Sequence, residues 1–263
     1  MHGKTALISG SSTGIGAAIA VELSSRGANI VLNYPFPNLE AECNEVGKKL
    51  KTPWIAVCAD LSTADGPSQL VEAAVARFGV INILVNNAAV IPHAATETTT
   101  TKLWDDSYAL NARGTFLLTQ AVLPHLPPYK PSSPPSTSGV KGGSRIICIG
   151  SGSSRMPQPD LLVYSSTKGA IEAMVKVWAK ELPPKYGCTV NAIAPGPTDT
   201  EGFRKGAGEL LQDTKAGFEK ETPCEGSLAD PEDIAWAVAW LADDRSKWVN
   251  GEYIMVNGGL GMV

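Results

Sequence analysis

The sequence predicts an α/β protein built on a doubly wound, parallel sheet of seven strands with helices on both faces. Short apolar runs rich in β-branched residues alternate along the chain with longer segments whose apolar residues recur every three or four positions. The short runs contain few polar residues, which is typical of parallel strands covered on both faces. Alternation of the two kinds of segment favours right-handed crossovers between parallel strands.

Each predicted element follows from one of these two patterns. The apolar runs predict strands over residues 5–9, 29–34, 54–59, 83–86, 144–149, 189–194 and 253–256. The helical periodicity predicts helices over residues 15–26, 39–50, 69–78, 103–126, 163–181 and 231–241. We expect residues 1–263 to form one domain, because α/β folds of this length commonly keep one core.

Two segments interrupt the alternation. Residues 127–143 consist almost wholly of Pro, Ser, Thr, Gly and Lys, a composition that buries too little apolar surface to order itself, so we expect a flexible surface insertion. Residues 197–229 follow the sixth strand and place five glycines among large apolar residues. Because ligands of such sheets bind beyond the carboxyl ends of the strands, this second segment is predicted to be a substrate lid.

The bulk composition indicates a small-molecule partner. The formal net charge is −4, the pI is about 5.5 and the basic residues are scattered, which disfavours nucleic acid and anionic membranes. The five cysteines form no C-x-x-C pair, and His93 and His125 fit no ligand spacing, so no metal site is predicted. Unpaired thiols, together with a start unlike a leader peptide and no membrane-length apolar run, predict a cytoplasmic protein.

A glycine-rich turn connects the first predicted strand to the first predicted helix. It reads S-G-S-S-T-G-I-G over residues 9–16, and its backbone N–H groups and the positive end of the helix dipole would face an anion above the turn. Gly10 permits the tight turn, Gly14 lets the backbone approach the anion, and Gly16 allows close packing of helix and sheet. The turn therefore predicts a diphosphate site, although the motif alone also occurs in ordinary strand-to-helix turns.

The glycine spacing, G-x-x-x-G-x-G, resembles that of the short-chain dehydrogenase/reductase family rather than the G-x-G-x-x-G of other dinucleotide-binding folds. Further motifs of the family follow in chain order between residues 4 and 259. They are Asp60-Leu61 after the third strand, Asn86-Asn87-Ala88-Ala89 after the fourth, Asn111, Ser151, Tyr164 with Lys168, and Pro195-Gly196 after the sixth strand. The resemblance, to the ketoreductase branch in particular, implies a Rossmann fold and an NAD(P)(H)-dependent oxidoreductase.

Tyr164 and Lys168 are four residues apart on a predicted helix, which places both side chains on one face. A free tyrosine has a pKa of about 10, and a nearby ammonium group favours the phenolate. We therefore expect Lys168 to lower the pKa of Tyr164 toward the range useful for general acid–base catalysis. In the family this tyrosine is the proton donor and acceptor, and the lysine also binds the nicotinamide ribose.

The resemblance assigns supporting roles to Ser151 and Asn111. Ser151 lies at the end of the fifth predicted strand, where the family places the serine that hydrogen-bonds the reacting oxygen, and Ser153 and Ser154 are close rivals. Asn111 matches the asparagine that holds a water in the proton relay to the lysine. Taken singly, each residue fits an ordinary turn or helix position, but four matches in chain order favour a catalytic set.

The resemblance also implies which residues contact the dinucleotide. Besides Tyr164 and Lys168 they are Gly10, Ser12, Thr13, Gly14, Ile15, Gly16, Asn33, Tyr34, Asp60, Leu61, Asn87, Ala88, Ala89, Pro195, Gly196, Thr198 and Thr200. The second strand ends without the Asp or Glu that would bond a ribose 2′-hydroxyl and exclude a 2′-phosphate. We therefore expect NADP(H) more than NAD(H), with the hydroxyls of Tyr34, Ser11, Ser12 and Thr13 and the adjacent backbone as candidate donors to the phosphate.

Two residues depart from the family pattern without removing a reacting group. Ala89 stands where glycine usually ends the Asn-Asn-Ala-Gly motif, and it would be strained if that position needs a positive φ. Gly150 stands where a serine often precedes the catalytic serine.

The sequence defines the substrate poorly and leaves other functions open. Candidate residues for an apolar pocket are Val90, Ile91, Pro92, Met156, Leu161, Leu162, Phe203 and Phe218, and we expect an apolar, cyclic or polyketide-like carbonyl or alcohol. One alternative is a non-redox descendant, an isomerase or cyclase, that uses Arg113 or Asp160 as a new acid or base. Another is a nucleotide-sensing binding protein; the intact catalytic set argues against both.

The two longest predicted helices, over residues 103–126 and 163–181, carry more apolar residues than one stripe facing the sheet requires. These residues are Trp104, Phe116, Leu117, Leu118, Met174, Val177 and Trp178. Because the family counterparts of these helices pair across a twofold axis, we expect a homotetramer or homodimer.

Overall fold

The computed structural model of the protein describes residues 1–130, 143–208, 211–226 and 228–262. The strands are β1 Thr5–Ile8, β2 Asn29–Tyr34, β3 Trp54–Cys58, β4 Ile83–Asn86, β5 Arg145–Ile149, β6 Thr189–Pro195 and β7 Tyr253–Val256. They form one parallel sheet in the order β3-β2-β1-β4-β5-β6-β7. The predicted doubly wound, seven-stranded α/β fold is confirmed.

Ten α-helices lie in the described parts of the chain. They are α1 Gly14–Ser25, α2 Glu40–Gly47, α3 Gly66–Phe78, α4 Thr101–Tyr108, α5 Thr115–Val122, α6 Leu162–Glu181, α7 Pro183–Tyr186, α8 Glu201–Ala207, α9 Leu211–Glu221 and α10 Pro231–Ala242. Of these, α7, α8 and α9 have no counterpart among the helices that the periodicity predicts, since they are short or rich in glycine and charge.

The apolar runs of the strands are explained by a core on each face of the sheet. Leu7 and Ile8 are neighbours in β1, yet Leu7 packs into the cluster beneath α3, α5 and α6, whereas Ile8 packs into the cluster beneath α1 and α10. Ile146 and Ile147 of β5 divide between the two clusters in the same way. Because successive side chains of a strand point to opposite faces, a sheet covered on both sides needs apolar residues without alternation.

The single helix predicted over residues 103–126 is wrong in detail. The segment consists of α4, a π-helical stretch Ala109–Gly114, α5 and a 3₁₀ turn Leu123–His125. At Gly114 the backbone passes so close to the neighbouring chain that a Cβ atom would lie 2.6 Å from the carbonyl oxygen of Leu61. Widened π turns are frequent at functional sites, and this one contains Asn111.

The order of the strands fixes where a ligand would bind. The chain builds the sheet outward from β1 in one direction through β2 and β3, then returns to pair β4 with the other side of β1. At such a reversal the loops after the two central strands separate and leave a crevice at the carboxyl edge. The glycine-rich turn follows β1 and the Asn-Asn-Ala-Ala motif follows β4, so both lie at this crevice.

The predicted lid has its two ends tied together. Ala229 N–H donates to the Pro197 carbonyl at 2.9 Å, Asp199 N–H donates to the Ala229 carbonyl at 2.9 Å, and Thr198 forms an isolated parallel bridge with Ala229. Helices α8 and α9 lie between these ends, and residues 209, 210 and 227 are outside the described ranges. Of the predicted insertion over residues 127–143, residues 131–142 are outside them as well.

None of the helices in the described ranges is long and apolar enough to cross a membrane. Within the same ranges, no three His, Cys, Asp or Glu side chains are grouped as a metal site would require.

Candidate active site

The glycine-rich turn is a close-packed cradle at the N-terminus of α1. Gly10 and Gly14 have φ values of +58° and +55°, a backbone conformation that residues other than glycine rarely adopt. A Cβ atom on Gly16 would lie 2.4 Å from the Gly10 carbonyl oxygen and 2.6 Å from the Asn87 amide nitrogen. Each of the three glycines therefore occupies a position where a side chain would collide or be strained, while the approach of an anion to Gly14 stays a prediction.

Side chains from β2 and β4 hold this cradle in place. Asn87 Nδ2 donates to the carbonyl oxygens of Ser9 and Gly10, both at 2.9 Å. Ser9 Oγ accepts from the N–H groups of Asn87 and Ala88 at 2.9 and 3.0 Å, and Asn33 Oδ1 accepts from Gly10 N–H at 3.0 Å. The amides of Asn33 and Asn87 thus shape the loop rather than face a ligand.

The N-terminus of α1 fits the diphosphate of a dinucleotide. Its N-cap, Thr13, makes no side-chain bond to the helix, and the first turn contains no acidic residue. The first N–H groups of Gly14, Ile15 and Gly16 therefore keep their donor capacity, and the helix dipole favours an anion there. Thr200, which caps α8 by accepting from Phe203 N–H, places its methyl 3.3 Å from the Cβ position of Gly14, so the segment predicted to be a lid passes close to the cradle.

The end of β2 is less open than the sequence suggests. Tyr34 is only 6% exposed, and burial, with the charge of Glu40 as the next cause, raises the pKa of its phenol. Ser11 is fully buried: its hydroxyl donates to the Ile8 carbonyl and accepts from Asn33 N–H. The expectation that Ser11 offers its hydroxyl to a 2′-phosphate is therefore wrong, because both partners of that hydroxyl are internal.

Ala89 causes no backbone strain. Among the described residues, Asp160 is the one non-glycine residue with a positive φ, at +63°. Ala89 therefore has an ordinary conformation, and glycine is not needed at this position.

Ser151 and Tyr164 meet at the end of β5. Ser151 follows β5, and its side chain is close enough to influence the pKa of Tyr164, which lies in the first turn of α6 and is 8% exposed. Burial raises the pKa of Tyr164 to about 12, and the Ser151 hydrogen bond acts in the opposite direction. The phenol is therefore fully protonated at neutral pH.

Lys168 lies one helical turn beyond Tyr164 and is almost wholly buried. Its Nζ donates to the Ile149 carbonyl at 2.7 Å and lies 5.6 Å from the centre of the Tyr164 ring. Burial lowers the pKa of Lys168 to about 8. The net shift of the Tyr164 pKa is upward because burial is its largest cause, so the lowering expected from the ammonium stays a prediction.

Asn111 is fully buried inside the π-helical stretch and faces the loop after β4. Its amide forms a matched pair with the backbone of Val90: Oδ1 accepts from Val90 N–H and Nδ2 donates to the Val90 carbonyl, both at 2.9 Å. Nδ2 also donates to Thr167 Oγ1 in α6 at 3.1 Å. Asn111 thus joins the Val90 loop to the helix that carries Tyr164 and Lys168.

The rival serines have other partners. Ser153 offers its backbone N–H to Ser151 Oγ at 3.1 Å, while Ser154 Oγ bonds to the Ser151 carbonyl and to Tyr253 Oη. Of the three serines, Ser151 is the one that shifts the pKa of Tyr164. The sequence reasoning missed Tyr253, whose only sequence signal is the unusual glycine at position 150.

The other predicted cofactor residues surround the same edge of the sheet. Asp60 Oδ1 accepts from the backbone and hydroxyl of Ser62, and Arg113 donates to the Ser62 carbonyl. Gly196 N–H donates to Val256, and Thr198 Oγ1 donates to the Gly196 carbonyl. Asp60 and Leu61 follow β3, Ala88 and Ala89 follow β4, and Gly196, Thr198 and Thr200 follow β6, whose last residue is Pro195.

Comparison with known proteins decides the family. The family model described as enoyl-(acyl carrier protein) reductase matches residues 10–261. A short-chain dehydrogenase/reductase from Cladobotryum sp., FrzI, is 35% identical over 261 residues, which covers 98% of this chain and 95% of the relative. The chain belongs to the short-chain dehydrogenase/reductase family.

Solved structures of similar proteins include complexes with a nicotinamide dinucleotide. A short-chain dehydrogenase from Burkholderia cenocepacia, solved with NADP, has a TM-score of 0.83 and 27% identity, with 98% of each chain covered. The angucycline C-6 ketoreductase LanV, solved with bound NADP, has a TM-score of 0.82 and 31% identity, covering 98% of this chain and 96% of its own. Like them, this short-chain dehydrogenase/reductase is an oxidoreductase by family.

Proposed function

We propose that this short-chain dehydrogenase/reductase transfers a hydride between NADP(H) and the carbonyl or alcohol carbon of an apolar substrate, with Tyr164 exchanging the proton. The observation that carries the proposal is the meeting of Ser151, Tyr164 and Lys168 at the carboxyl edge of the sheet, beside a cradle built for a diphosphate. A sensor of nucleotides would need only the cradle.

The residues present fit a nicotinamide dinucleotide. The uncapped N-terminus of α1 and the glycines of the cradle would hold its diphosphate. Lys168 Nζ uses one of its three donors on Ile149, which leaves two for the hydroxyls of a ribose. The cofactor, when bound, supplies or accepts the hydride.

The protein's own residues would handle the substrate oxygen. In reduction the protonated Tyr164 hydroxyl donates its proton to that oxygen, and Ser151 Oγ fixes the oxygen by a hydrogen bond. In oxidation the proton passes in the opposite direction. The Lys168 ammonium would oppose the negative charge that proton donation leaves on Tyr164, since its Nζ lies 5.6 Å from the centre of that ring.

A preference for NADP(H) is supported by the absence of an acidic residue at the end of β2 and by the NADP bound in two of the similar structures. The remaining candidate donors to a 2′-phosphate are the hydroxyls of Ser12, Thr13 and Tyr34. The Glu40 carboxylate lies close enough to Tyr34 to raise its pKa, so the same charge would weaken phosphate binding. We therefore expect a moderate preference.

An apolar, cyclic or polyketide-like substrate is supported by the walls of the crevice. Val90, Ile91 and Leu162 flank the catalytic residues and are 44%, 51% and 44% exposed, which is unusual for large apolar side chains. In the lid, the rings of Phe203 and Phe218 lie 6.5 Å apart. A cyclic ligand could pack against Val90, Ile91 and Leu162, and the predicted lid would then cover the ligand.

Assembly into a homodimer or homotetramer is supported by apolar side chains that this chain leaves uncovered. On α4, α5 and α6 respectively, Trp104, Phe116 and Val177 are exposed, whereas Leu118 and Trp178 of the same helices are buried in the core. If light scattering at micromolar concentration gave the mass of one chain, that result would contradict the proposed assembly. A cytoplasmic location is supported by the five free cysteines.

The test of the function is Tyr164→Phe, which removes the proton-carrying oxygen and keeps the ring. NADPH oxidation is followed with phenanthrenequinone, menadione, tetralone and benzaldehyde as probes, and we expect turnover of the substrates used by the wild type to fall by at least about a hundredfold. NADPH binding, measured by its fluorescence, should be unchanged. Tyr186→Phe, another partly buried phenol, is the matched control.

Wild-type turnover by Tyr164→Phe would exclude Tyr164 as the proton donor. Crotonyl-CoA belongs in the same panel, because the matching family model is described as an enoyl reductase. Turnover of that thioester alone, without reduction of any ketone, would contradict the carbonyl proposal.

A further inference from the structure

We propose that Tyr253 of β7 is a positioning residue for Ser151, because its hydroxyl hydrogen-bonds both the N–H and the carbonyl of that residue. The inference rests on the role proposed above for Ser151. It concerns how the serine is aimed and adds no group that touches the substrate.

The Tyr253 hydroxyl makes two hydrogen bonds to the backbone of one residue, Ser151. Tyr253 Oη accepts from Ser151 N–H at 2.8 Å and donates to the Ser151 carbonyl at 2.9 Å. Ser154 Oγ lies 2.9 Å from Tyr253 Oη, and either hydroxyl could be the donor of that contact. Both peptide groups of Ser151 are therefore held by one atom, 102 residues away in sequence.

The tyrosine reaches Ser151 across another strand. The sheet order places β6 between β5 and β7, and the β6 residue in register with Tyr253 is Ala192, whose side chain is small. At the far side the ring meets Gly150, where a Cβ atom would lie 2.4 Å from Tyr253 Oη. The absence of a side chain at position 150 is thus the condition for the hydroxyl to reach its partners.

The ring of Tyr253 packs against the side chain of Arg155. The guanidinium of Arg155 lies 4.9 Å from the centre of the Tyr253 ring and pairs with Glu172 of α6 at 2.8 Å. Tyr253 is 7% exposed, and burial raises the pKa of its phenol, which keeps the donor proton in place at neutral pH. Tyr253 therefore connects β7 to the Ser151 loop through its hydroxyl and to the helix that carries Tyr164 through the contact of its ring with Arg155.

The consequence concerns the direction of the Ser151 side chain. A hydroxyl that must bond both Tyr164 and a substrate oxygen depends on the orientation of the backbone that bears it. With its N–H and carbonyl both held, Ser151 cannot rotate its peptide planes without breaking two bonds in a buried site, and buried unpaired groups are unfavourable. Loss of the Tyr253 hydroxyl should therefore slow chemistry without changing cofactor binding.

The experiment is a double-mutant cycle with NADPH and phenanthrenequinone as probes. In the otherwise wild-type protein, Tyr253→Phe should lower kcat by about tenfold, because it leaves the ring but releases Ser151. In the Ser151→Ala protein the same change should lower kcat by less than about twofold, since the Ser151 hydroxyl that Tyr253 would position is absent. KM and the Kd for NADPH should stay constant in both backgrounds, and Tyr186→Phe is again the matched control.

The outcomes separate the two proposals. Unchanged kcat in Tyr253→Phe, or an equal loss in both backgrounds, would overturn the positioning role while leaving Ser151 in place. Wild-type activity in Ser151→Ala would instead remove the proposed role of the serine, and the Tyr253 inference with it. If Tyr253→Phe does not fold, Gly150→Ala replaces it, because the added methyl displaces the same hydroxyl; unchanged kcat there would equally overturn the proposal.

Discussion

The two halves of the carboxyl edge are held by different means. On the cofactor side, the glycine-rich turn is fixed by short amide side chains, Asn33 of β2 and Asn87 directly after β4, and both of these strands pair with β1. On the substrate side, the loop after β5 is fixed by a long phenol, Tyr253, that crosses an intervening strand. Both arrangements join residues that are far apart in the chain, but the first uses strands paired directly with β1, whereas the second spans an intervening strand.

The largest expected effect is on the cofactor side. Gly16→Ala places a methyl 2.4 Å from the backbone oxygen of Gly10, which cannot move without breaking the cradle. We expect overpacking to destabilise the protein by about 1–3 kcal/mol and NADPH affinity to fall by at least about tenfold. Chemical denaturation and fluorescence titration measure the two effects.

Gly169→Ala is the matched control for this change. Gly169 lies in α6 with open space around its Cβ position, so alanine should stabilise the helix by about 0.5–1 kcal/mol and leave NADPH binding unchanged. If Gly16→Ala binds NADPH as the control does, the turn is not the diphosphate site.

Lys168→Met tests the point where the two halves meet, because Lys168 bonds the end of β5 and has donors left for a ribose. Turnover should be lost and the Kd for NADPH should rise by about tenfold to a hundredfold, the effect of charge-assisted hydrogen bonds. A defect in only one of these quantities would show that the two roles belong to different residues.

The same variant should be more stable than the wild type in the absence of cofactor. Lys168 has a pKa of about 8 in the folded protein and 10.5 in the unfolded chain, so below pH 8 burial of its charge lowers the free energy of unfolding by about 3 kcal/mol. The variant removes this cost but also loses the hydrogen bond to Ile149, which contributes about 1 kcal/mol to stability. Between these pKa values the unfolded chain binds more protons, and wild-type stability rises with pH. The advantage of Lys168→Met should therefore shrink from neutral pH toward pH 10.5, as measured by urea unfolding; a constant gap would contradict the buried-lysine explanation.

The smallest expected effect concerns the 2′-phosphate. Glu40→Gln removes the carboxylate beside Tyr34, and NADPH affinity should rise by about three- to fivefold, the size of a screened surface charge interaction, while NADH affinity changes less. Glu45→Gln, an exposed residue of the same helix, is the control with equal charge. Wild-type protein that binds NADH as tightly as NADPH would contradict the NADP(H) preference itself.

The cofactor side could be predicted from the sequence in most of its parts. The glycine spacing forecast a tight turn at the start of α1, and the structure shows positive φ at Gly10 and Gly14 and a closed space at Gly16. The hydroxyl donors could not be predicted in the same way, because whether Ser11 faces a ligand depends on Asn33, a residue 22 positions away. Hydrogen-bond partners of this kind are set by strand pairing, which one sequence does not show.

By itself, the sequence determined the alternation of strands and helices, the diphosphate turn and the chain order of Ser151, Tyr164 and Lys168, because these follow from local periodicity and short spacings. Tertiary structure alone decided the π turn around Asn111, the raised pKa of Tyr164 and the grip of Tyr253 on Ser151. Each of these depends on burial or on contact between residues far apart in the chain, and both arise only when the sheet has assembled.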